Sequence, residues 1–498
     1  MITHMQALPT NLYRGSQVKI LDRTAIEQHQ ITGASLMALA GRSAYQLLKQ
    51  CWPEARNIAV ICGVGNNAGD GYVLARAAHE AGLEVSVFQV GDRSRLPEDA
   101  LNAAQVMQKV GCELHNYEGQ SLFDFDLVVD ALLGIGLNGE VKDHWHSAIE
   151  AINLSRVPVL AIDMPSGLHP DVGLPMGIAV RATVTITYIG LKQGLFTARG
   201  PEYAGEVHFQ DLNVPKAVYD TLIPSSYLMQ YHQDRQHHLK PRRRSAHKGQ
   251  FGHVLVVGGD NGMSGAAQMA ATAAARCGAG RVSLASRARH AVLLGSQQPE
   301  LMCHGVETAH ELEPLLQQAS VIAIGPGLAQ GDWGKQLLAQ ALAGPQPLIL
   351  DADALNLLAQ KPLARGNWIL TPHPGEAARL LNCSVADIES DRFHAIRELQ
   401  KKYRGVIVLK GAGTLVIGEN ERIYVCGDGN PGMASGGMGD VLTGVIAGLK
   451  AQGMDPLQAA QVGVCLHGAA GDAAAIEGER GLLASDLYPH IRSLVNLN

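Results

Sequence analysis

Apolar residues in this chain fall in short unbroken runs, each closed by a polar or glycine turn and followed by apolar positions at helical spacing. In the first half the runs are NIAVIC (57–62), EVSVFQV (84–90), LVVDALL (127–133), VPVLAID (157–163) and TVTITY (183–188). Helices are predicted from the turn after Cys62 to about Ala81 and over about 97–110, and the first 45 or so residues read as mostly helical. Runs that are apolar throughout and separated by helices predict a parallel sheet covered on both faces. The second half starts again with HVLVVGG (253–259), an alanine-rich helix (263–278), RVSLAS (281–286), SVIAIGPG (320–327), PLILDADAL (347–355), NWILTPHPGE (367–376), GVIVLKGAGT (405–414) and RIYVCG (422–427). No convincing internal repeat relates the halves.

The pattern therefore predicts an α/β protein of two different doubly wound α/β/α sandwich domains. Their bounds are read as 1–217 and 246–498, with a linker and the start of the second domain at 218–245. That joint carries YHQDRQHHLKPRRRS, a polar stretch broken by Pro241. His232, His237 and His238 lack regular ligand spacing, and Arg242, Arg243 and Arg244 read as wet surface.

Composition narrows the class. At roughly 100–200 residues per domain, 498 residues allow two to four domains. A net charge of −6 gives no global basic field, which argues against nucleic acid and membrane surfaces as partners. The eight cysteines are scattered without a CxxC pair, so buried thiols are expected rather than disulfides or zinc ligands. MITHMQALPTNLYRG has no apolar signal core, and no run is long enough to span a bilayer. A soluble cytoplasmic enzyme is the expectation, of a size at which fused metabolic enzymes often form homo-oligomers.

Chemistry in the first half gathers at strand ends. GVGNNAGDG (63–71) follows a strand, opens a helix and matches GxGxxA, the dinucleotide pattern. The next strand ends at Gln89 and Val90, without the carboxylate that would hold a ribose. Asp70 is expected in the first helical turn, where helix capping is its plainest role. Asp130 ends LVVD, Asp163 ends LAID, and Ser166 follows in DMPSG. Open parallel sheets bind ligands beyond the carboxyl ends of their strands. An amide oxygen, one carboxylate and a hydroxyl there suit a hard, monovalent cation, and Asp163 is left for proton transfer.

GNNAGDG, DALLGIGLNGE and DMPSGL together resemble the epimerase domain of the bifunctional NAD(P)H-hydrate repair enzymes, over most of residues 10–215. The resemblance implies a Rossmann-like fold. It implies that Asn66, Asn67, Ala68, Gly69 and Asp70, with Gly134, Ile135, Gly136, Leu137, Asn138, Gly139 and Glu140, hold the hydrated nucleotide. It implies K⁺ at Asn67, Asp130 and Ser166, and substrate contact at Asp163, the expected proton-transfer residue.

The second half offers four glycine loops after strands: GGDNGMSGAA, GPGL (325–328), KGAGT (410–414) and NPGMASGGMGDVLTG (430–444). The last opens a helix whose apolar positions are Val441, Leu442, Val445, Ile446 and Leu449. A glycine-rich helix entrance exposes backbone N–H groups to an anion. KGAGT lacks Walker A spacing, yet its amides, Lys410 and the Thr414 hydroxyl could cradle phosphates. In TPHPGE two prolines hold His373 at a helix entrance. For Asp353, in LDADAL, capping of the following helix is the cautious reading.

GPG, HPGE, KGAGT and GxGD resemble the ribokinase-like superfamily. The full set looks like the ADP-dependent (S)-NAD(P)H-hydrate dehydratase domain of the same repair enzymes, over about 228–498. This implies ADP contacts from Lys410, Gly411, Ala412, Gly413, Thr414 and Gly439, and contacts to hydrated NADH or NADPH from Gly327, His373 and the catalytic Asp440. Mg²⁺ is expected beside the ADP. The competing expectations are an ATP-dependent kinase for a vitamin alcohol, since GxGD serves both chemistries, and a non-catalytic nucleotide-binding module in the first half.

Overall fold

The computed structural model describes residues 8–137 and 139–496, with the backbone alone at 232–234. The chain divides into two compact units, Met1–Ser226 and Tyr227–Asn498. Among the described residues no helix is long and apolar enough to cross a membrane.

In the first unit seven strands form one sheet: β1 (Asn57–Cys62), β2 (Glu84–Gln89), β3 (Leu114–Asn116), β4 (Leu127–Ala131), β5 (Val159–Ile162), β6 (Val184–Tyr188) and β7 (Glu206–Gln210). Their order is β3-β2-β1-β4-β5-β6-β7, and every neighbouring pair is parallel. β1 shows why its run is apolar throughout. Ile58, Val60 and Cys62 join the core beneath helices α1 (Gly33–Cys51) and α2 (Asn66–Glu80), while Ala59 and Ile61 join a core on the opposite face with Ala148, Ile149 and Ile152 of α3 (Asp143–Ser155). The order reverses between β1 and β4, so the loops after these strands diverge and leave a crevice.

The second unit repeats this plan without repeating the sequence. Its strands are β8 (His253–Val257), β9 (Arg281–Ser286), β10 (Met302–Gly305), β11 (Val321–Ile324), β12 (Leu348–Leu350), β13 (Trp368–Leu370), β14 (Val406–Leu409), β15 (Thr414–Ile417) and β16 (Ile423–Cys426). They run β10-β9-β8-β11-β12-β13-β14-β15-β16, parallel as far as β14, after which β15 and β16 are antiparallel additions. Tyr227 and Leu228 pair with Tyr424 and Val425, and a helix spans Tyr231–His238, so the polar joint carries secondary structure.

Two of the details that differ from the sequence reading are local. Strands β3, β7 and β10 carry polar residues at half-exposed sheet positions, so they show no apolar run. Helix α2 begins at Asn66, which puts Asp70 in its second turn rather than its first.

The glycine loop of 430–444 feeds helix α5 (Met438–Ala451), which packs on the alanine-rich α4 (Ser264–Arg276). The fit is tight. A Cβ on Gly444 would lie 2.0 Å from the Ala270 carbonyl oxygen. All five apolar positions predicted for α5 are buried.

Candidate active sites

A cleft of about 700 Å³ opens over the β1/β4 switch of the first unit. Asn66, Asn67 and Asp70 of α2, Gly134, Ile135, Gly136 and Leu137 after β4, and Asp163 after β5 line it. Among the described residues, the others expected there do not. Gly69 packs on Met37 and Ala100, and Ala68 is fully buried in the core. Gly139 and Glu140 lie off the cleft, Glu140 beside Lys142 at 3.7 Å. Asn138 lies outside the described residues. Gln89, where a ribose carboxylate was missing, instead donates from Nε2 to the Gly63 carbonyl at 2.7 Å and ties down the glycine loop.

Backbone strain marks the same cleft. Asp163 (φ 66°), Ile189 (φ 63°) and Leu212 (φ 53°) all line it in left-handed conformations. For a β-branched residue such as Ile189 that is a true outlier, and such outliers collect at functional sites.

The acid–base groups are set by one residue that sequence reasoning missed. Lys192 is wholly buried, and its ammonium touches Oδ1 of Asp163, Oγ1 of Thr187 (2.9 Å) and the Tyr188 carbonyl (3.1 Å). Removing a lysine from water needs such partners. Around this pair, burial first and the charge of Asp163 next push the carboxyls of Asp70 and Asp22 upward, that of Asp70 far above the usual range. The cleft thus holds the Lys192–Asp163 ion pair beside a carboxyl whose burial disfavours its charged form. Its signal in the sequence was a lone charge within the apolar stretch from Val184 to Phe196.

Asp130 and Ser166 lie beneath the cleft, both fully buried. Ser166 donates from Oγ to Oδ1 (2.6 Å) and from N to Oδ2 (2.8 Å) of Asp130, and Leu132 N also donates to Oδ1 (3.2 Å). Burial raises the Asp130 carboxyl to about 6, against the pull of these bonds. Both polar atoms of the Asn67 amide are buried without a hydrogen-bond partner. An orphaned amide oxygen, together with a buried carboxylate that forms no ion pair among the described residues, fits a weakly charged metal ion.

In the second unit the loops after β11, β12, β13 and β14 stand side by side along the carboxyl edge of the sheet. Lys410 reaches under the GxGD turn. Its Nζ lies 2.7 Å from Oδ1 of Asp351 and 3.8 Å from Oε2 of Glu376, and a Cβ on Gly439 would sit 3.2 Å from it. Thr443 donates to the other Asp351 oxygen at 2.8 Å. Burial alone would pull the Lys410 ammonium down, but Asp351 and Glu376 outweigh it and hold it above its ordinary value. Burial, then Asp351, raises Asp440 to about 7, and burial raises Glu376 to about 7 against Lys410. Asp440 is in the first turn of α5, whose N-cap Gly437 (φ 91°) provides no side-chain cap. The N–H groups of that turn therefore face an anion site.

His373 is itself the N-cap of helix Pro374–Leu381. Its Nδ1 accepts from Gly375 N at 3.0 Å, and Nε2 lies 3.4 Å from Glu376 Oε1. Burial and Lys410 lower its pKa, so the ring is neutral. Gly327 (φ 58°) belongs to a neighbouring loop, its carbonyl accepting from Asp260 N at 2.6 Å. Thr414 turns its hydroxyl inward to the Gly411 carbonyl (2.9 Å). Asp353 caps the preceding loop rather than its own helix, accepting from Ala329 N at 2.9 Å.

Arg392 was also invisible in the sequence, where it looks like any arginine of an amphipathic helix. It is buried, and Nη2 donates to the carbonyls of Leu409 and Lys410, both at 3.2 Å, and of Gly413 at 3.5 Å. This guanidinium holds the carbonyls of the 410–413 loop on its own side.

Two sheets of one strand order, each with buried carboxyls gathered around a lysine at its carboxyl edge, define a doubly wound α/β enzyme with two sites. Comparison with known proteins agrees along the whole chain. Residues 254–492 match the family described as NAD(P)H-hydrate dehydratase, and residues 33–194 match YjeF-related protein N-terminus. The bifunctional NAD(P)H-hydrate repair enzyme Nnr of Coxiella burnetii is 49% identical over 98% of this chain and 100% of its own length. That of Escherichia coli is 42% identical over 98% and 95%. A ribokinase-like superfamily protein of Enterococcus faecalis superposes with a TM-score of 0.51 at 28% identity, over 55% of this chain and 96% of its own. The chain belongs to the bifunctional NAD(P)H-hydrate repair enzymes, and the small-molecule kinase reading falls.

Proposed function

We propose that residues 1–217 interconvert the R and S epimers of hydrated NADH and NADPH, that residues 246–498 dehydrate the S epimer in the presence of ADP, and that 218–245 joins the two. The Lys192–Asp163 pair beside the buried Asp70, whose carboxyl is pushed toward its protonated form, carries this reading for the first unit. The nicotinamide nitrogen expels the C6 hydroxyl, which takes the Asp70 proton and leaves as water. Water returns on the other face, giving a proton to Asp163, and proton exchange between the two carboxyls resets the site. Positioned acid–base groups of this kind supply ~10²–10⁴-fold.

K⁺ would be held by Asn67, Asp130 and Ser166, where its charge would offset Asp130 beneath the cationic ring. ADP would lie against the 410–414 loop and Gly439, supplying negative charge beside the reacting ring without being consumed; Mg²⁺ would accompany its phosphates. In this unit Asp440 gives its proton to the departing C6 oxygen and recovers one from C5, so the carboxyl ends unchanged. Gly327 and His373 would orient the nicotinamide. The setting is the cytoplasm.

The test uses separated epimers. Asp163→Asn should abolish repair of the R epimer and spare the S epimer, read as return of dihydronicotinamide absorbance with ADP present. Unchanged rates on both epimers would remove Asp163 from the chemistry, and recovery that needs ATP turnover would remove ADP as a cofactor.

A further inference from the structure

We propose that Cys426, Asp428 and Cys465 form a second metal site, taking a thiophilic divalent cation of the zinc type behind the glycine loop of the second unit. Their ligand atoms all lie within 4.8 Å of one another, with Cys426 Sγ 3.8 Å from Asp428 Oδ2. The sulfurs of a tetrahedral zinc site are roughly 3.8 Å apart, given Zn–S bonds of about 2.3 Å. A contraction of about 1 Å therefore closes the site. Two thiolates with one carboxylate select zinc or cadmium over magnesium or calcium.

The place is built for close approach. Cys426 ends β16, and Cys465 lies in the middle of helix α6 (Pro456–Ala474); both are buried. Cys465, Gly468 and Asp472 fall on one face of α6 by their spacing. A Cβ on Gly468 would lie 2.8 Å from the Asp428 carbonyl oxygen and from its Cβ, so only glycine lets the 427–430 loop lie on the helix. Asp472 fastens the far end of that loop, accepting from Gly429 N and Asn430 Nδ2, both at 2.9 Å. Among the described residues neither Asp428 nor Asp472 pairs with a lysine, arginine or histidine. The carboxylates leave net negative charge beside two thiols, and exposed Asp428 gives an ion its way in.

Binding would release the two thiol protons to solvent, with water in the fourth position. The metal would tie β16, the 427–430 loop and α6 together just before the GxGD segment.

The experiment titrates reduced, chelator-treated full-length protein with Cd²⁺ and follows the ultraviolet thiolate-to-cadmium band. One Cd²⁺ per chain is expected. Cys426→Ser and Cys465→Ser should each weaken binding at least ~10-fold, and Cys383→Ser, at an exposed thiol, should leave it unchanged. Crystals of the wild type soaked in Cd²⁺ should show an anomalous peak among the three side chains, which holds even where a serine variant fails to fold. No band at stoichiometric Cd²⁺, binding undisturbed in both serine variants, or a peak elsewhere overturns the site.

Discussion

The ammonium of Lys192 rests directly on Oδ1 of Asp163, with no solvent exposure of its own, while the Asp163 side chain remains open to the cleft. The pair is therefore polarised toward substrate. Lys192→Met should lower the epimerase rate ~10²–10⁴-fold and leave dehydration of the S epimer untouched. Cleft water can still reach Asp163, so the stability loss should stay at or below ~3 kcal/mol. A denaturant midpoint and rates on each epimer check both halves. Equal losses of the two activities would mark a merely structural lysine.

Asp440 and Glu376 each sit near 7, neutral below that pH and anionic above it. A diphosphate binds better beside the neutral forms, so ADP affinity should fall as pH rises through 7, by at most ~10-fold per unit for each linked proton. Proton uptake on ADP binding, read by calorimetry in buffers of different ionisation heat, measures this. Asp440→Asn should flatten the profile. Because both folded values exceed the unfolded ones, these groups also make stability decline as pH climbs from about 4 to about 7.

Gly411 adopts φ 138°, and a Cβ there would lie 2.5 Å from Nη1 of Arg392. Gly411→Ala should displace the guanidinium, and Arg392→Met should delete it. Either change frees the loop carbonyls, and ADP binding should weaken ~10–100-fold, on the scale of one charged hydrogen bond. Epimerase activity is the internal control. An unaltered ADP affinity in both variants would show that the loop holds its shape without Arg392.

Asn67 has a buried amide with both polar atoms unpartnered. Epimerase activity should rise saturably with K⁺ and not with choline, and Asn67→Ala should blunt that response. A wild-type rate indifferent to K⁺ would dismiss the ion.

Gly444→Ala adds a methyl group against the Ala270 carbonyl, where α5 meets α4. Overpacking of this kind costs ~1–3 kcal/mol, so the melting temperature should drop by several degrees without a change in m-value. No drop would mean that α5 shifts at little cost.

Much of this was written in the chain. Apolar runs spaced by helices determined two parallel sheets, because a strand covered on both faces has no polar alternation to hide. Glycine loops after those strands marked where ligands approach. Asp163 and Asp440 stood out as carboxylates at strand and helix ends. The edge strands β3, β7 and β10 escaped because half-exposed positions tolerate polar residues, and their pairing is decided by neighbours far along the chain. Arg392 and the meeting of Cys426 with Cys465 depended on tertiary structure alone, and Lys192 showed in the chain only as a lone charge in an apolar stretch. A buried charge or a thiol pair gains its meaning from partners within a few ångströms, and only folding decides which residues those are.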